Sequence, residues 1–305
     1  MGSKSLAMDW QERLADSAIK RFFCKKDIKR FVYSLLPNEQ FLSRPIFILG
    51  CGRSGTTILG ELLGHHYQLA YLNEPREIWQ VIPQTDVWSA MAPSRGGTLA
   101  LSEGVVPSIT KKKVRRLFAA EVRMRKGQRL LEKLPENSFR VRMIAEIFPD
   151  ALFINTIRNG LDVAYSIERL AKADKWWGNK NYKWLMLKQY AYEAGYSEEI
   201  RHCNDHLTMG LLEWRMSVDA VRVALQNVSP EHHMVVRYED LIVDPLSLCG
   251  ALEKFIGLER SEEMRSFALN NIKRKTKPYG MENITNSMKK IAGNLFESLG
   301  YGALD

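Results

Sequence analysis

The stretch PIFILGCGRSGTTILGELL, Pro45 to Leu63, limits the fold of this 305-residue chain more than any other segment. Ile46 to Gly50 is an apolar run of the length and composition of a buried parallel strand. Gly50 to Thr57 then spells G-C-G-R-S-G-T-T, in which glycines let the backbone curl so that successive N–H groups face one anion. A helix is expected from about Thr56 to His65, with Ile58, Leu59, Leu62 and Leu63 as its apolar stripe. Strand, phosphate-type loop and helix in this order call for an α/β fold. The spacing is that of the nucleotide-binding loop G-x-x-x-x-G-K-[ST], with Thr56 where the lysine should stand. Such a loop can hold one phosphate, but it lacks the cation that reaches the β- and γ-phosphates of a triphosphate. Arg53, inside the loop, supplies positive charge to a different group.

The same alternation recurs downstream. Gln68 to Glu74 (QLAYLNE) reads as a strand ending on a carboxylate. Residues 80 to 110 are rich in Pro, Gly and Ser and read as a long loop or lid. Lys111 to Lys126 reads as a basic helix with Val114, Leu117, Phe118 and Val122 toward the core. A helix is expected in FRVRMIAEIFPD, a buried strand at Ala151 to Ile157, a helix in LDVAYSIERLAKA, and a strand and turn in HMVVRYEDL, His233 to Leu241. The final third reads as mainly helix. The expected fold is α/β and P-loop-like, three layers with a mostly parallel central sheet. One domain is expected over 1–305: an N-terminal helical segment at 1–44, a nucleotide-binding core at 45–245 with a variable acceptor region at about 79–130, and a helical part at 246–305.

The 44 Lys+Arg against 35 Asp+Glu leave a formal charge of +9, which favours anionic partners without choosing among them. Cys24, Cys51, Cys203 and Cys249 are scattered, with no C-x-x-C pair, so a reduced compartment is the simpler reading. No apolar run approaches the roughly 18 to 20 residues that span a bilayer, and no basic-then-apolar leader opens the chain. A soluble, cytoplasmic protein is therefore expected.

Three motifs together carry a family resemblance. GCGRSGTT after a buried strand, FPDALFINTIRNGLDVAYS and VVRYEDLIVDP resemble, in this order, the sulfotransferases that use 3′-phosphoadenosine 5′-phosphosulfate (PAPS), with a weaker echo at FESLGY. The resemblance runs from about Ile46 to Tyr238. It implies PAPS as co-substrate, 3′-phosphoadenosine 5′-phosphate (PAP) as product, no required metal, and a hydroxyl-bearing acceptor, such as an anionic glycan or a peptide, rather than nucleic acid. Gly52, Arg53, Ser54, Gly55, Thr56 and Thr57 match the family's 5′-phosphosulfate loop. Arg158 and Ser166 match its 3′-phosphate pair, and Tyr238 the tyrosine that approaches the adenine. The donor fits the altered loop: one 5′-phosphate bearing a sulfuryl group and a separate 3′-phosphate need two anion sites and no β/γ clamp. ALFINTIRNG likewise ends on Asn155, Thr156 and Arg158, with no acidic residue for Mg²⁺.

Sulfuryl transfer is in-line displacement at a highly charged centre and needs a base and one or two cations. Glu74, in YLNEPREIW, stands where the tyrosylprotein branch of the family places a glutamate base; the alternative is a structural ion pair with Arg76. EKLPEN keeps the lysine of the K-x-H-L-P stretch of the cytosolic small-molecule branch, as Lys133, and lacks its histidine, which favours Glu74. Lys133 would then stabilise the leaving oxygen and Arg53 the sulfuryl oxygens; otherwise Lys133 is an ordinary exposed lysine. The aromatic stretch DKWWGNKNYKWLMLKQYAYEAGY is read as an acceptor cleft or as core. His202 and His206 are at metal-binding spacing, but a solvated helix face is the better reading. His65 and His66 are expected to meet the carbonyls that end the loop helix. Two other functions stay open, a P-loop kinase with an atypical loop and a non-catalytic binder of nucleotide or polyanion.

Overall fold

The computed structural model describes residues 30, 32–35, 39–273, 279–280, 282 and 284–302. The expected N-terminal helix, and Cys24, lie outside the described residues. Five strands, β1 (Ile46–Leu49), β2 (Leu69–Asn73), β3 (Arg129–Lys133), β4 (Leu152–Ile157) and β5 (His233–Arg237), form one sheet in the order β2-β3-β1-β4-β5 with every pairing parallel. The strand order runs both ways from β1: β3 and β2 lie to one side, β4 and β5 to the other. The crevice outside the carboxyl ends of β1 and β4 is thus a topological switch point, where open α/β sheets bind ligands.

Both faces of the sheet are covered. Phe47, Leu49, Leu130 and Phe153 point into a core shared with α3 (Ser108–Met124) and α4 (Val141–Ile147). Their neighbours Ile46, Ile48, Leu131, Leu152 and Ile154 point the opposite way. They meet α1 (Thr56–Gly64), α10 (Pro245–Ile256) and α11 (Glu262–Asn271). This strict alternation follows from the period of two along a strand. The intervening helices are α2 (Arg76–Trp79), α5 (Gly160–Ala171), α6 (Tyr182–Glu193), α7 (Ser197–Ile200), α8 (His206–Leu225) and α9 (Tyr238–Val243), and the chain closes with α12 (Asn286–Ala292) and α13 (Leu295–Ser298). A third apolar cluster joins α5, α6, α8, α12 and α13.

The strand, loop and helix at Pro45–Leu63 stand where the sequence puts them, and the segment before α3 has only short helical turns. β3 is the element the sequence reading did not supply. It lies between β1 and β2, yet its sequence is RLLEK, and it buries both Glu132 and Lys133. A central parallel strand is ordinarily an unbroken apolar run, so two charges hide it. Glu132 is accommodated because Trp79 Nε1 donates to it at 2.8 Å and Asn137 Nδ2 at 3.1 and 3.2 Å. Burial nevertheless pushes its carboxyl up to about 8.

Candidate active site

The loop Gly50–Thr57 leaves β1 and feeds directly into α1. Gly55, the residue before the helix, has φ +91°, and a Cβ there would lie 2.4 Å from Tyr238 Cδ2, so only glycine fits. Arg53 adopts φ +75° without being glycine. Its Nε donates to Ser166 Oγ at 3.0 Å, and its carbonyl accepts from Arg158 Nη1 at 3.2 Å. Arg158, just past β4, also donates to Asp162 Oδ2 at 3.2 Å and stacks its guanidinium 4.3 Å from the centre of the Tyr238 ring. Its Nε is buried and has no partner among the described residues. The backbone at Arg158 is fixed from behind: Trp214 Nε1 donates to its carbonyl at 3.1 Å, because Gly160 lets the Trp214 ring close onto α5.

These residues line a cavity of about 450 Å³ with Arg169, Tyr165 and Tyr279. Tyr165 and Tyr279 stack at 3.8 Å. Loss of solvent and the nearby Arg169 and Arg158 guanidiniums lower the pKa of Arg53, with Glu74 opposing them. Like charges crowded in this way, beside an orphaned guanidinium N–H, are a site built to receive an anion. The glycine cradle, the orphaned donor and the cations fit a bound phosphate and a second anionic group.

The second group of residues meets at the ends of β2 and β3. Glu74 follows β2 directly and has φ +51°, a left-handed conformation that costs a non-glycine residue about 1–3 kcal/mol and collects at functional sites. Its N–H still pairs with Lys133 O at 2.7 Å, so the parallel ladder runs on through the strained residue. Lys133 is buried, with its Nζ 2.6 Å from Glu74 Oε1. Arg76 holds the other oxygen, Oε2, and reaches Glu136 Oε1 at 3.4 Å. Burial opposes ionisation of Glu74, but Arg76 and Lys133 outweigh it and lower its pKa. Glu136, buried beneath them, is held at about 2 by Arg76, Lys183 and the indole N–H of Trp88, again against desolvation.

Glu74 and Arg76 open onto a second cavity of about 410 Å³ walled by Trp88, Trp176, Pro135 and Lys183. The two cavities abut across the loop. Arg53 lines the first, while a Cβ on Gly52 would meet Trp176 Cη2 at 2.5 Å and Pro135 Cβ at 3.7 Å, both walls of the second.

Every site residue expected from the sequence thus falls in one of two places. Arg53, Gly55, Thr56, Thr57, Arg158, Ser166 and Tyr238 line the first cavity. Gly52 and Ser54 belong to its loop, with Ser54 buried. Glu74 and Lys133 form one ion pair beside the second cavity. Lys133 is buried rather than an exposed surface lysine, and the Glu74–Arg76 ion pair is present as well. The sequence reading missed Arg169 and Glu136. Arg169 was findable, being one turn beyond Ser166 on the same helix face. Trp88 and Trp176 come from the variable region and the aromatic stretch, whereas the basic helix α3 contributes to neither cavity. His65 Nδ1 meets Glu61 O at 2.8 Å, as expected at the helix end, and His66 instead meets Glu259 O at 3.0 Å. His206 faces the Trp177 indole N–H at 3.2 Å. Among the described residues no cluster of three His, Cys, Asp or Glu side chains is placed to hold a metal, and no helix is long and apolar enough to cross a membrane.

A parallel sheet with an anion cradle at its switch point, and a carboxylate with two cations beside it, define a group-transfer class of α/β protein. The chain belongs to the sulfotransferase family, whose pattern it matches over residues 45–262. Among curated proteins it is 28% identical to omega-hydroxy-beta-dihydromenaquinone-9 sulfotransferase Stf3 of Mycobacterium bovis, over 77% of this chain and 69% of that protein. It is 21% identical to protein-tyrosine sulfotransferase 2 of Gallus gallus, over 84% of this chain and 66% of that one. An uncharacterized protein of Aquifex aeolicus is 30% identical over 52% of this chain but only 21% of its own length. Among solved structures, sulfotransferase STF9 of Mycobacterium avium superposes with a TM-score of 0.55 at 15% identity, covering 90% of this chain and 80% of that one, which shows a shared fold.

Proposed function

We propose that this chain is a PAPS-dependent sulfotransferase that moves the sulfuryl group to a hydroxyl acceptor, with Glu74 as general base. The observation that carries the reading is the adjacency of an anion cradle without a lysine to the Glu74–Lys133 pair at 2.6 Å. In this reading the Gly52–Thr57 loop holds the 5′-phosphosulfate, and Arg158 and Ser166 hold the 3′-phosphate, with Arg158 Nε, unpartnered among the described residues, as the open donor. Tyr238, already under the Arg158 guanidinium, borders the adenine.

The acceptor hydroxyl enters from the second cavity and gives its proton to Glu74. Its oxygen bonds to sulfur as the bridging bond to the 5′-phosphate breaks, and PAP leaves. Lys133 neutralises the leaving oxygen and Arg53 the sulfuryl oxygens. As Lys133 turns toward the leaving oxygen it loosens its hold on Glu74, whose basicity rises when the proton arrives. Neither step calls for a metal. The family relatives carry acceptors as different as a menaquinone derivative and protein tyrosine by their names, and a hydroxyl is what those acceptors share.

Glu74→Gln tests the base. It should keep PAP affinity while transfer of radiolabelled sulfuryl from PAPS across an acceptor panel falls by roughly a hundredfold or more. Near-normal turnover would remove Glu74 from the role.

A further inference from the structure

Trp176 occupies a position no ordinary core tryptophan needs. One edge of its indole rests on Gly52 of the loop, where the missing Cβ leaves room, and the ring also walls the cavity onto which Glu74 opens. Its orientation is fixed by charge. Trp176 Nε1 donates to Glu213 Oε2 at 2.7 Å, and Lys183 Nζ donates to Glu213 Oε1 at 2.6 Å. The same Nζ lies 4.1 Å from the centre of the Trp176 ring and 5.0 Å from that of Trp88. Lys183 and Glu213 are both buried. Trp88 stands edge-on to Trp176 at 6.3 Å and 88°, with its own N–H held by buried Glu136. The segment that carries Trp176 is docked onto the one that carries Trp88: Asn179 N donates to Trp88 O at 2.9 Å, and Gly178, at φ +73°, lies too close to Val87 for any side chain.

A buried ion pair is a poor way to gain stability, since apolar side chains of similar size do as well or better. What Glu213 and Lys183 secure is the position of one indole edge at the junction of the two cavities, with Glu213 reaching it from 37 residues away in sequence. Resting on the sulfotransferase reading above, we propose that Trp176 is a shielding residue: it closes the donor loop against water on the acceptor side, so that only a hydroxyl seated against its face reaches the sulfuryl group. Without that wall, a water oxygen would bond to sulfur as the bridging bond to the 5′-phosphate breaks, giving PAP and sulfate and releasing two protons to solvent. Exclusion of water from a reactive donor is a recognised task of a closed site.

The test is acceptor-free release of labelled sulfate from PAPS, measured with PAP affinity and melting temperature. Trp176→Ala should raise hydrolysis by about tenfold or more while PAP affinity stays within about threefold. Trp176→Phe, which keeps a ring against Gly52, should restore most of the suppression. The double substitution Lys183→Met/Glu213→Leu leaves the ring but frees its edge, and should raise hydrolysis severalfold; it decides the question if Trp176→Ala does not fold. Unchanged hydrolysis in folded variants, or PAP affinity falling in step with the ring, would overturn the proposal, the latter by making Trp176 a brace for the loop. A wild-type protein that does not bind PAP would instead sink the sulfotransferase reading.

Discussion

At the scale of single residues, two non-glycine positions hold left-handed backbone at the heart of the site, Arg53 and Glu74. Strain of this kind persists only where surrounding contacts over-determine it. At Glu74 those contacts are Lys133 and Arg76, and they have a consequence for pH. Burial would raise the carboxyl's pKa, but the two cations win and lower it. A depressed folded pKa means that pairing stabilises the protein fully above the ordinary carboxylate value and is lost as pH falls through the lower folded one. If Glu74 is the base, the acid limb of kcat/KM measured with PAPS should therefore lie below the ordinary glutamate value of about 4.3. An acid limb between pH 6 and 7 would mean that another group takes the proton. Arg76→Ala should move that limb upward, because it removes one of the two cations.

At the scale of elements, β3 supplies the clearest case of what a sequence conceals. The strand, loop and helix at Pro45–Leu63 were legible because apolar alternation, glycine spacing and a helical stripe agree locally. β3 was not, because Glu132 and Lys133 are charged and their partners, Trp79, Asn137 and Glu74, lie on other elements. Glu74 and Arg158 could be singled out as strand-end residues, but that Lys133 reaches Glu74 is a property of the β2–β3 register, Asn73 opposite Lys133. Trp88 carried no readable role, and the stretch holding Trp176 could be read only as acceptor cleft or core, since an indole wall and a core indole have the same sequence. β3 also predicts a pH effect of opposite sign. Glu132 is pushed up to about 8 by burial, so the unfolded chain ionises it from about pH 4.3 while the folded one keeps its proton. Glu132→Gln should accordingly gain melting temperature relative to wild type on going from pH 5 to pH 8. A difference that is flat over that range would show that Glu132 titrates normally. At the other end of the site, Gly55→Ala forces a left-handed alanine against Tyr238. It should cost about 1–2 kcal/mol of stability, read by denaturant unfolding, and weaken PAP binding at the same time.

At the scale of the whole molecule, the sheet brings one cradle for a phosphate, one cluster of guanidiniums and one carboxylate–lysine pair together from segments spread over more than a hundred residues. An anion that binds only the folded state should stabilise all of it together, by about 2.7 kcal/mol at a hundredfold excess over its Kd. PAP should raise the melting temperature by that mechanism, and raising ionic strength should weaken the effect, since Arg169 faces solvent. The central claim is that the loop without its lysine and the Arg158 cluster form two separate anion sites for one donor. Calorimetric titration of wild type and Arg158→Ala with PAP and with AMP, both in EDTA, tests it most directly. Wild type should bind PAP at least about tenfold more tightly than AMP, and Arg158→Ala should erase most of that preference while leaving AMP nearly unchanged. Equal losses for both ligands, or wild-type binding that requires Mg²⁺, would contradict it.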